Sequence, residues 1–166
     1  MKPVILSLTM TALMLNAAVF GFFYAWICST MWGLDAADPR NALAAMQAMN
    51  ASVRNAVFFP SFFLTPVALG AVAALLLPTQ RAPAMCFGAA AVIYLCGGLV
   101  LTMTVNVPMN EALARIAVPD SIEEAGRIWN AYSAPWQRWN IVRTVASGLA
   151  LLIALWGTLL MDRNAL

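Results

Sequence analysis

Four long apolar stretches alternate with shorter polar ones along this chain. They run from Val4 to Ile27, Val57 to Leu77, Met85 to Val105 and Ile141 to Met161. Each is close to the roughly 20 residues that a helix needs to cross a hydrocarbon core of about 30 Å. We therefore expect an all-α integral membrane protein, a four-transmembrane-helix bundle.

The polar residues collect in two stretches, Gly33 to Ala56 and Asn106 to Asn140. Both lie on one face of the bundle, because the chain crosses the membrane twice between them. In the first, Asp38 is placed to cap a helix that begins at Pro39, and apolar residues then recur every three or four positions. In the second, Ser121 stands three residues before a glutamate, the spacing of a capping box. We expect amphipathic interfacial helices on this face.

Prolines predict where several of these helices bend or end. The first amphipathic helix is expected to run straight into the second span, with Pro60 and Pro66 kinking that span. The helix that begins after Ser121 is expected to break near Ala134. Pro135 would then be the first residue of the last helix.

The composition indicates that lipid solvates much of the surface. The chain is 63% hydrophobic and 10% charged, against roughly 45–50% and about 25% in soluble domains. We interpret residues 1–166 as a single membrane domain and expect an integral protein of the bacterial inner membrane, with the lipid bilayer as a partner. A homo-oligomer and a membrane-protein partner stay open, and no nucleic-acid partner is expected.

Missing residue types exclude several kinds of chemistry. The chain has no histidine and three cysteines, none of them in a CxxC pair. Haem, di-iron, copper and catalytic zinc sites usually need histidine, and thiol oxidoreductases usually need paired cysteines. No nucleotide-binding fingerprint is present. We therefore expect no metal site and no cofactor.

A polar niche is expected where the third span meets the polar face. Pro108 cannot donate to the carbonyl of Thr104, so the helix should loosen there. Asn106 and Asn110, at i and i+4, should point the same way.

The start of the fourth span supplies a matching set. Trp136, Asn140 and Arg143 share one helix face, and Trp139 lies one short step away. An arginine inside an apolar span is costly and normally has a partner, for which Glu111 is the candidate.

Further polar and aromatic residues are expected at the same end of the bundle: Asn50, Arg54, Asn55, Trp129 and Tyr132. With the amides and arginine above, they would line a pocket suited to a hydrophobic aromatic small molecule or a quinone headgroup. A structural interpretation stays open for each group. The aromatic residues are also typical of an interfacial belt, the amides of helix caps, and the buried arginine of a structural ion pair.

Three segments of the chain are similar to one known family. They are Asn106-Val-Pro-Met-Asn110, Trp129 with Tyr132, and Trp136-Gln-Arg-Trp-Asn-Ile-Val-Arg143. In order and spacing, together with the first span, they resemble the four-span family of membrane proteins, mostly of unknown function, that includes the anthrone oxygenases. The resemblance covers nearly the whole chain and departs at Ile141, where many members have histidine.

The resemblance implies oxidation of an anthrone-like molecule by O₂ at its activated methylene, without metal or flavin. The implied catalytic residues are four donors to the enolate oxygen, Asn106, Asn110, Asn140 and Arg143, and one base, Glu111. Trp136, Trp139 and Tyr132 would clamp the aromatic rings. An imidazole-based mechanism at Ile141 does not transfer.

Two functions from different classes remain. One is a small, cofactor-independent, oxygenase-like enzyme acting on a hydrophobic aromatic or quinoid substrate. The other is a non-catalytic membrane subunit or a lipid- or quinone-binding scaffold. A closed cavity lined by the amides and the arginine would favour an enzyme or binder, whereas a cluster without a void would favour a structural role.

Overall fold

The computed structural model describes residues 3–162, and this part of the chain is helical throughout apart from short connections. Four helices are long and apolar enough to cross a membrane: α1 (Pro3–Ala36), α3 (Phe58–Leu76), α4 (Arg81–Ala114) and α5 (Ile122–Leu159). A shorter helix, α2 (Pro39–Ser52), lies between the first two. The expected all-α, four-span membrane architecture is therefore confirmed. Residues 1–2 and 163–166, the ends of the predicted domain, lie outside the described range.

The four long helices form a ring in which α1 packs on α3, α3 on α4, α4 on α5 and α5 on α1. Buried apolar side chains such as Leu69, Phe87 and Tyr94 fill its centre. Small residues bring α4 and α5 together, since a Cβ added to Gly97 would lie 2.5 Å from that of Ala146. Close approach through small residues is typical of helix packing in lipid.

The outer surface of the ring is apolar on every long helix. Met14, Val67, Val92 and Leu152 are exposed examples, one from each. Apolar residues face outward in this way when acyl chains rather than water surround a bundle. The chain is thus an integral membrane protein.

The ends of α1, α4 and α5 continue past the ring on the side of α2. Helices of 34 and 38 residues are about 50 Å or longer at 1.5 Å per residue, against a hydrocarbon core of about 30 Å. The extended ends pack around Leu43 and Met46 of α2 through Met31, Leu113 and Trp129. This second core holds α2 as a cap over one end of the bundle.

α2 begins where the sequence predicts. Asp38 Oδ1 accepts a hydrogen bond from the backbone N of Arg40 at 2.9 Å, and Pro39 is the first helical residue. The Arg40 side chain also donates to this carboxylate, at 2.7 Å, and these bonds lower the pKa of Asp38 to about 2. Arg40 Nη1 donates to the carbonyl of Asp120 at 3.2 Å, which ties α2 to the loop before α5.

The predicted continuation of α2 into the second span is wrong. α2 ends at Ser52, and Asn55 Oδ1 accepts from the backbone N of Val57 at 2.8 Å and of Phe58 at 3.0 Å. Asn55 therefore starts α3 as a separate helix. Pro60 consequently lies in the first turn, where a missing N–H breaks no helical hydrogen bond, and only Pro66 lies inside α3.

The predicted break at Pro135 is also wrong, because α5 is continuous from Ile122 to Leu159. One absent donor is tolerated because side chains on both sides of the proline anchor the helix. Ser133 bonds to α1, and Tyr132 and Trp136 bond to α4. Continuity through Pro135 makes α5 longer than the predicted fourth span. The helices that contain the first and third spans, α1 and α4, are also longer than predicted.

Wide π turns interrupt two of the long helices. They are Trp26–Thr30 in α1, and Leu95–Val100 and Thr102–Asn106 in α4. The last one ends two residues before Pro108, where the sequence predicts that the helix loosens. π turns inside α-helices are frequent at functional sites.

Candidate active site

A cavity of about 300 Å³ lies between α3 and α4, on the side of the bundle capped by α2. Eight aromatic residues line it, from α1 (Phe22, Phe23, Trp26), α3 (Phe58, Phe59, Phe62, Phe63) and α5 (Trp136). The π turns contribute Trp26, Thr102 and Met103. An apolar cavity with a few converging polar groups is the usual form of a small-molecule site.

Arg143 is the buried cation in the cavity wall, and only 5% of it is exposed. Its guanidinium carbon lies 4.6 Å from the centre of the Phe23 ring and 5.1 Å from that of Trp136. Nη2 donates to Asn140 Oδ1 at 2.8 Å, and Nη1 donates to Thr102 Oγ1 at 3.4 Å. Nε has no hydrogen-bond partner among residues 3–162.

The predicted ion pair between Arg143 and Glu111 is wrong. Glu111 Oε1 pairs with Arg54 Nη2 at 3.4 Å, and no described carboxylate lies within ion-pair distance of Arg143. The buried cation is therefore surrounded by ring faces and neutral oxygens. A buried charge without a counter-charge is costly, so an anion in this cavity would be strongly favoured.

Asn140 orients Arg143 and does not itself line the cavity. Its Nδ2 donates to the carbonyl of Phe23 at 3.0 Å, just before the π turn of α1. This bond leaves Oδ1 to accept from Arg143. Asn140 thus acts as a positioning residue that joins α1 to the guanidinium.

Asn110 is the centre of a second hydrogen-bonded group in the wall. Its Oδ1 accepts from Tyr132 Oη at 2.8 Å and from Trp136 Nε1 at 2.9 Å. Asn50 Nδ2 in turn donates to Tyr132 Oη at 3.4 Å. Two donors on one oxygen fix the orientation of the Asn110 amide and so define where its nitrogen lies.

The Arg54–Glu111 ion pair lies at the polar edge of the cavity. About half of each side chain is exposed, 52% for Arg54 and 48% for Glu111. The pair joins the chain after α2 to the end of α4. Charge and exposure together indicate that this edge faces water, because charged groups are costly in lipid.

A sequence model described as anthrone oxygenase matches residues 46–153, well over half of the chain. The chain belongs to the anthrone oxygenase family. The resemblance stated from the motifs is thereby confirmed, although the match begins within α2 and does not include the first span. No curated protein and no solved structure matches the chain.

The segment that matches the anthrone oxygenase family contains all the predicted site residues, and the structure divides them into groups. Those that line the cavity are Asn50, Arg54, Asn110, Glu111, Trp136 and Arg143. Tyr132 and Asn140 bond to cavity residues from behind the wall. Membership of the family and the four spans together make this an oxygenase-like membrane protein.

Four predicted residues lie away from the cavity. Asn55 caps α3, and Trp139 is 40% exposed. Asn106 is fully buried, and neither polar atom of its side chain has a hydrogen-bond partner among the described residues. It is the last residue of the π turn in α4, and the helix is α-helical from Val107 onward. Trp129 belongs to a different cluster.

That cluster centres on Asp35, near the end of α1, which the sequence analysis missed. Its Oδ1 accepts from Trp129 Nε1 at 2.9 Å and Ser133 Oγ at 2.7 Å, and its Oδ2 accepts from Gln137 Nε2 at 2.8 Å. The three donors are spaced by four residues on α5, a pattern visible in the sequence. The predicted break at Pro135 assigned Gln137 to a different helix from Trp129 and Ser133, so the three residues were not recognised as one stripe.

Across residues 3–162, no three His, Cys, Asp or Glu side chains converge as ligands for a metal ion. The polar chemistry of the cavity consists of one guanidinium, the Asn50 and Asn110 amides, the Thr102 hydroxyl and the ion pair at its edge. Hydrogen-bond donors and a cation of this kind are chemically suited to an oxyanion.

Proposed function

We propose that the chain oxidises a hydrophobic aromatic or quinoid substrate with O₂ in this cavity, at a methylene activated by a carbonyl group. The observation that carries the proposal is Arg143, a buried guanidinium in the cavity wall with no carboxylate partner among the described residues. Membership of the anthrone oxygenase family supports the reaction class. The aromatic walls suit fused rings.

The reaction balances with O₂ as the only oxidant. A base removes one methylene proton and leaves an enolate whose negative charge rests largely on oxygen. The electron-rich carbon combines with O₂ and a proton to give a hydroperoxide, which loses water and forms a new carbonyl. One atom of O₂ ends in the product and the other in water, with both methylene hydrogens. The electrons of the two C–H bonds reduce O₂.

Arg143 holds the enolate oxygen in this proposal, and Asn110 is the second donor. The Asn110 oxygen is already engaged by Tyr132 and Trp136, which leaves its Nδ2 group for the substrate. Donors fixed before the reaction stabilise charge as it forms, because they need no reorganisation. Glu111, the carboxylate in the cavity lining, is the proposed proton acceptor.

The location and partners of the protein form part of the same proposal. We place it in the bacterial inner membrane, because helical spans are typical of that membrane and outer-membrane proteins usually span as strands. Its partners are the bilayer and the hydrophobic substrate. The chain itself supplies the donors and the base, so the proposed reaction needs no cofactor.

The test uses the full chain in lipid nanodiscs with an anthrone as substrate. O₂ uptake and quinone formation should proceed one to one above the rate of spontaneous oxidation. Arg143→Met should lower kcat by about 10²–10³-fold, the usual effect of removing one oxyanion donor. The kcat of Arg143→Lys should lie between those of the wild type and Arg143→Met, since lysine keeps the charge and loses the planar fork of donors. Arg138→Met, a change to an exposed arginine on the same helix, is the matched control and should retain wild-type activity.

A second measurement separates catalysis from folding. Without O₂, wild-type protein should stabilise the substrate enolate, seen by its visible absorption, and Arg143→Met should not. Wild-type turnover in Arg143→Met, or losses that only follow its thermal unfolding, would defeat the proposal. Quinone binding without any O₂ uptake by the wild type would favour the scaffold alternative.

A further inference from the structure

The exposed residues of the cavity lining form two groups of different chemistry, each of which we treat as an edge of the cavity. At the polar edge stand Arg54 and Glu111, joined by their ion pair. At the other edge stand Phe59, Phe63 and Met103, which line the cavity and are nevertheless 41%, 39% and 45% exposed. We call this second edge the lateral gap. Its three side chains belong to α3 and α4.

The arrangement of the helices determines what the lateral gap faces. In the ring, α3 and α4 are neighbours, so an opening between them points away from the bundle axis. α1 and α5 close the back of the cavity with Phe23, Trp136 and Arg143, and α2 covers it with Asn50. The exposed apolar residues of the lining therefore lie on the side between α3 and α4.

The surface beside the lateral gap has the character of a lipid-facing surface. Leu64 and Val67 on α3 and Val100 on α4 are all exposed and apolar. No charged residue interrupts either helix between Phe58 and Leu76 or between Phe87 and Asn110. Acyl chains rather than water are the solvent that such a surface accepts.

We infer that the ligand enters and leaves the cavity sideways from the bilayer, through the lateral gap, while the Arg54–Glu111 pair limits exchange on the water side. The identity of the ligand as a flat, apolar aromatic with an ionisable oxygen rests on the function proposed above. Such a molecule partitions into the bilayer, so the lateral route offers it at far higher local concentration than water does. The flexible Met103 side chain is suited to a passage that must adapt to rings.

The route also dictates how the ligand is oriented. Arg143 lies at the back of the cavity, so the oxygen end of the molecule leads and the remaining rings trail towards the lipid. An apolar substituent on the trailing end would project into acyl chains. A charged substituent there would have to be desolvated in the bilayer, which is costly.

The first test asks what solvent fills the lateral gap and needs no ligand. The native Cys28, Cys86 and Cys96 are replaced by alanine, and one nitroxide label is attached to cysteine at position 63, 103 or 67. Position 67 is the control, because Val67 is exposed on α3 and does not line the cavity. In nanodiscs, labels at 63 and 103 should collide with O₂ more often than with a water-soluble nickel chelate, because O₂ concentrates in lipid. The label at position 67 should show the same preference. Preferential collision with the chelate would overturn the inference.

The second test uses the label as a reversible plug. A hydroxyanthraquinone is first bound to the Met103→Cys protein, and its binding is measured by the quenching of tryptophan fluorescence. The nitroxide is then attached. Transfer of the quinone to excess empty vesicles should slow about tenfold, equal to about 1.4 kcal/mol of added barrier, and recover when dithiothreitol removes the label. Labelled Val67→Cys should release the quinone as fast as unlabelled protein. Labelling at Arg54→Cys should change release far less than labelling at Met103→Cys.

The outcomes separate this inference from the proposed function. A lipid-facing, pluggable gap in a protein that binds the quinone but takes up no O₂ supports the route and defeats the oxygenase proposal. An active oxygenase whose release is slowed by the plug at position 54 and not at 103 defeats the lateral route alone. If the protein binds no quinone, the proposed identity of the ligand is wrong. The collision data then decide whether the lateral gap faces lipid.

Discussion

Removing the Asp35 carboxylate should weaken the attachment of α1 to α5 without altering the cavity. Asp35 accepts three hydrogen bonds from one stripe of α5, from Trp129, Ser133 and Gln137. The Trp129 and Ser133 side chains are buried, so Asp35→Ala leaves two buried donors without their acceptor. None of these four residues lines the cavity.

The expected loss follows from these bonds. Hydrogen bonds to charged groups contribute about 1.5–3 kcal/mol each, and loss of a single partner also leaves the other desolvated. Asp35 is itself exposed, so water reaches the vacated space and replaces part of the interaction. We therefore expect Asp35→Ala to lower the free energy of unfolding by about 2–4 kcal/mol, less than the sum of three charged bonds. Asp35→Asn keeps the acceptor for Trp129 and Ser133 and should lose about half as much.

The assay is equilibrium unfolding in mild detergent by titration with sodium dodecyl sulfate, followed by tryptophan fluorescence. Glu123→Ala is the control, because it removes an exposed carboxylate near the start of α5 and should cost at most about 1 kcal/mol through the helix dipole. Quinone affinity of the folded Asp35→Ala protein should equal that of the wild type. A loss no larger than that of Glu123→Ala, or Asp35→Asn as unstable as Asp35→Ala, would refute the reasoning.

Two further predictions concern packing and pH. Gly97→Ala should lower the free energy of unfolding by about 1–3 kcal/mol through overpacking, because the added Cβ would lie 2.5 Å from that of Ala146; adding Ala146→Gly in the same titration should restore most of it. The pKa of Asp38 is lowered to about 2, so its contribution is complete above the unfolded value near 4 and disappears as the pH falls towards 2. Unfolding midpoints measured across this range should fall in the wild type, and Asp38→Asn should lack that component.

The fold was largely predictable from the sequence because the bilayer sets a simple length criterion. A run of about 20 apolar residues is a span whatever its neighbours do. The cap of α2 at Asp38 was equally predictable, since it depends on a side chain and a backbone N–H two residues away. The helix ends were not. Their positions depend on the second core, in which α2 packs against residues distant in the chain.

Pro135 shows the limit of local rules most clearly. A proline removes one helical hydrogen bond at any position, and in isolation this favours a break. In the structure, Ser133 and Trp136 on either side of it bond to Asp35 and Asn110 of other helices. No local pattern reports those bonds, so the continuity of α5 could not be deduced from its own residues.

The site was predictable in its polar members and not in its aromatic wall. Asn110 and Arg143 stand out because polar groups are rare inside spans. Phe23 and Trp26 of α1 resemble any other apolar residues of a span, and nothing in their spacing indicates that they face a cavity. The predicted partner of Arg143 was wrong because the sequence does not show which of two arginines lies within reach of Glu111. Glu111 and Arg143 line the same cavity, but the exposed Arg54 forms the ion pair with Glu111.

The absence of histidine changes how a base could work in this site. On the proposed function, Arg143 is buried beside the substrate without a carboxylate among the described residues to neutralise it. Such a cation attracts the enolate more than the neutral ketone, so binding itself shifts the substrate towards its deprotonated form. A strong base is then unnecessary, and a carboxylate such as Glu111 suffices to carry the proton to water. A carboxylate placed next to Arg143 would neutralise the guanidinium and remove this advantage, so pairing Glu111 with Arg54 leaves the charge of Arg143 free to act on the substrate.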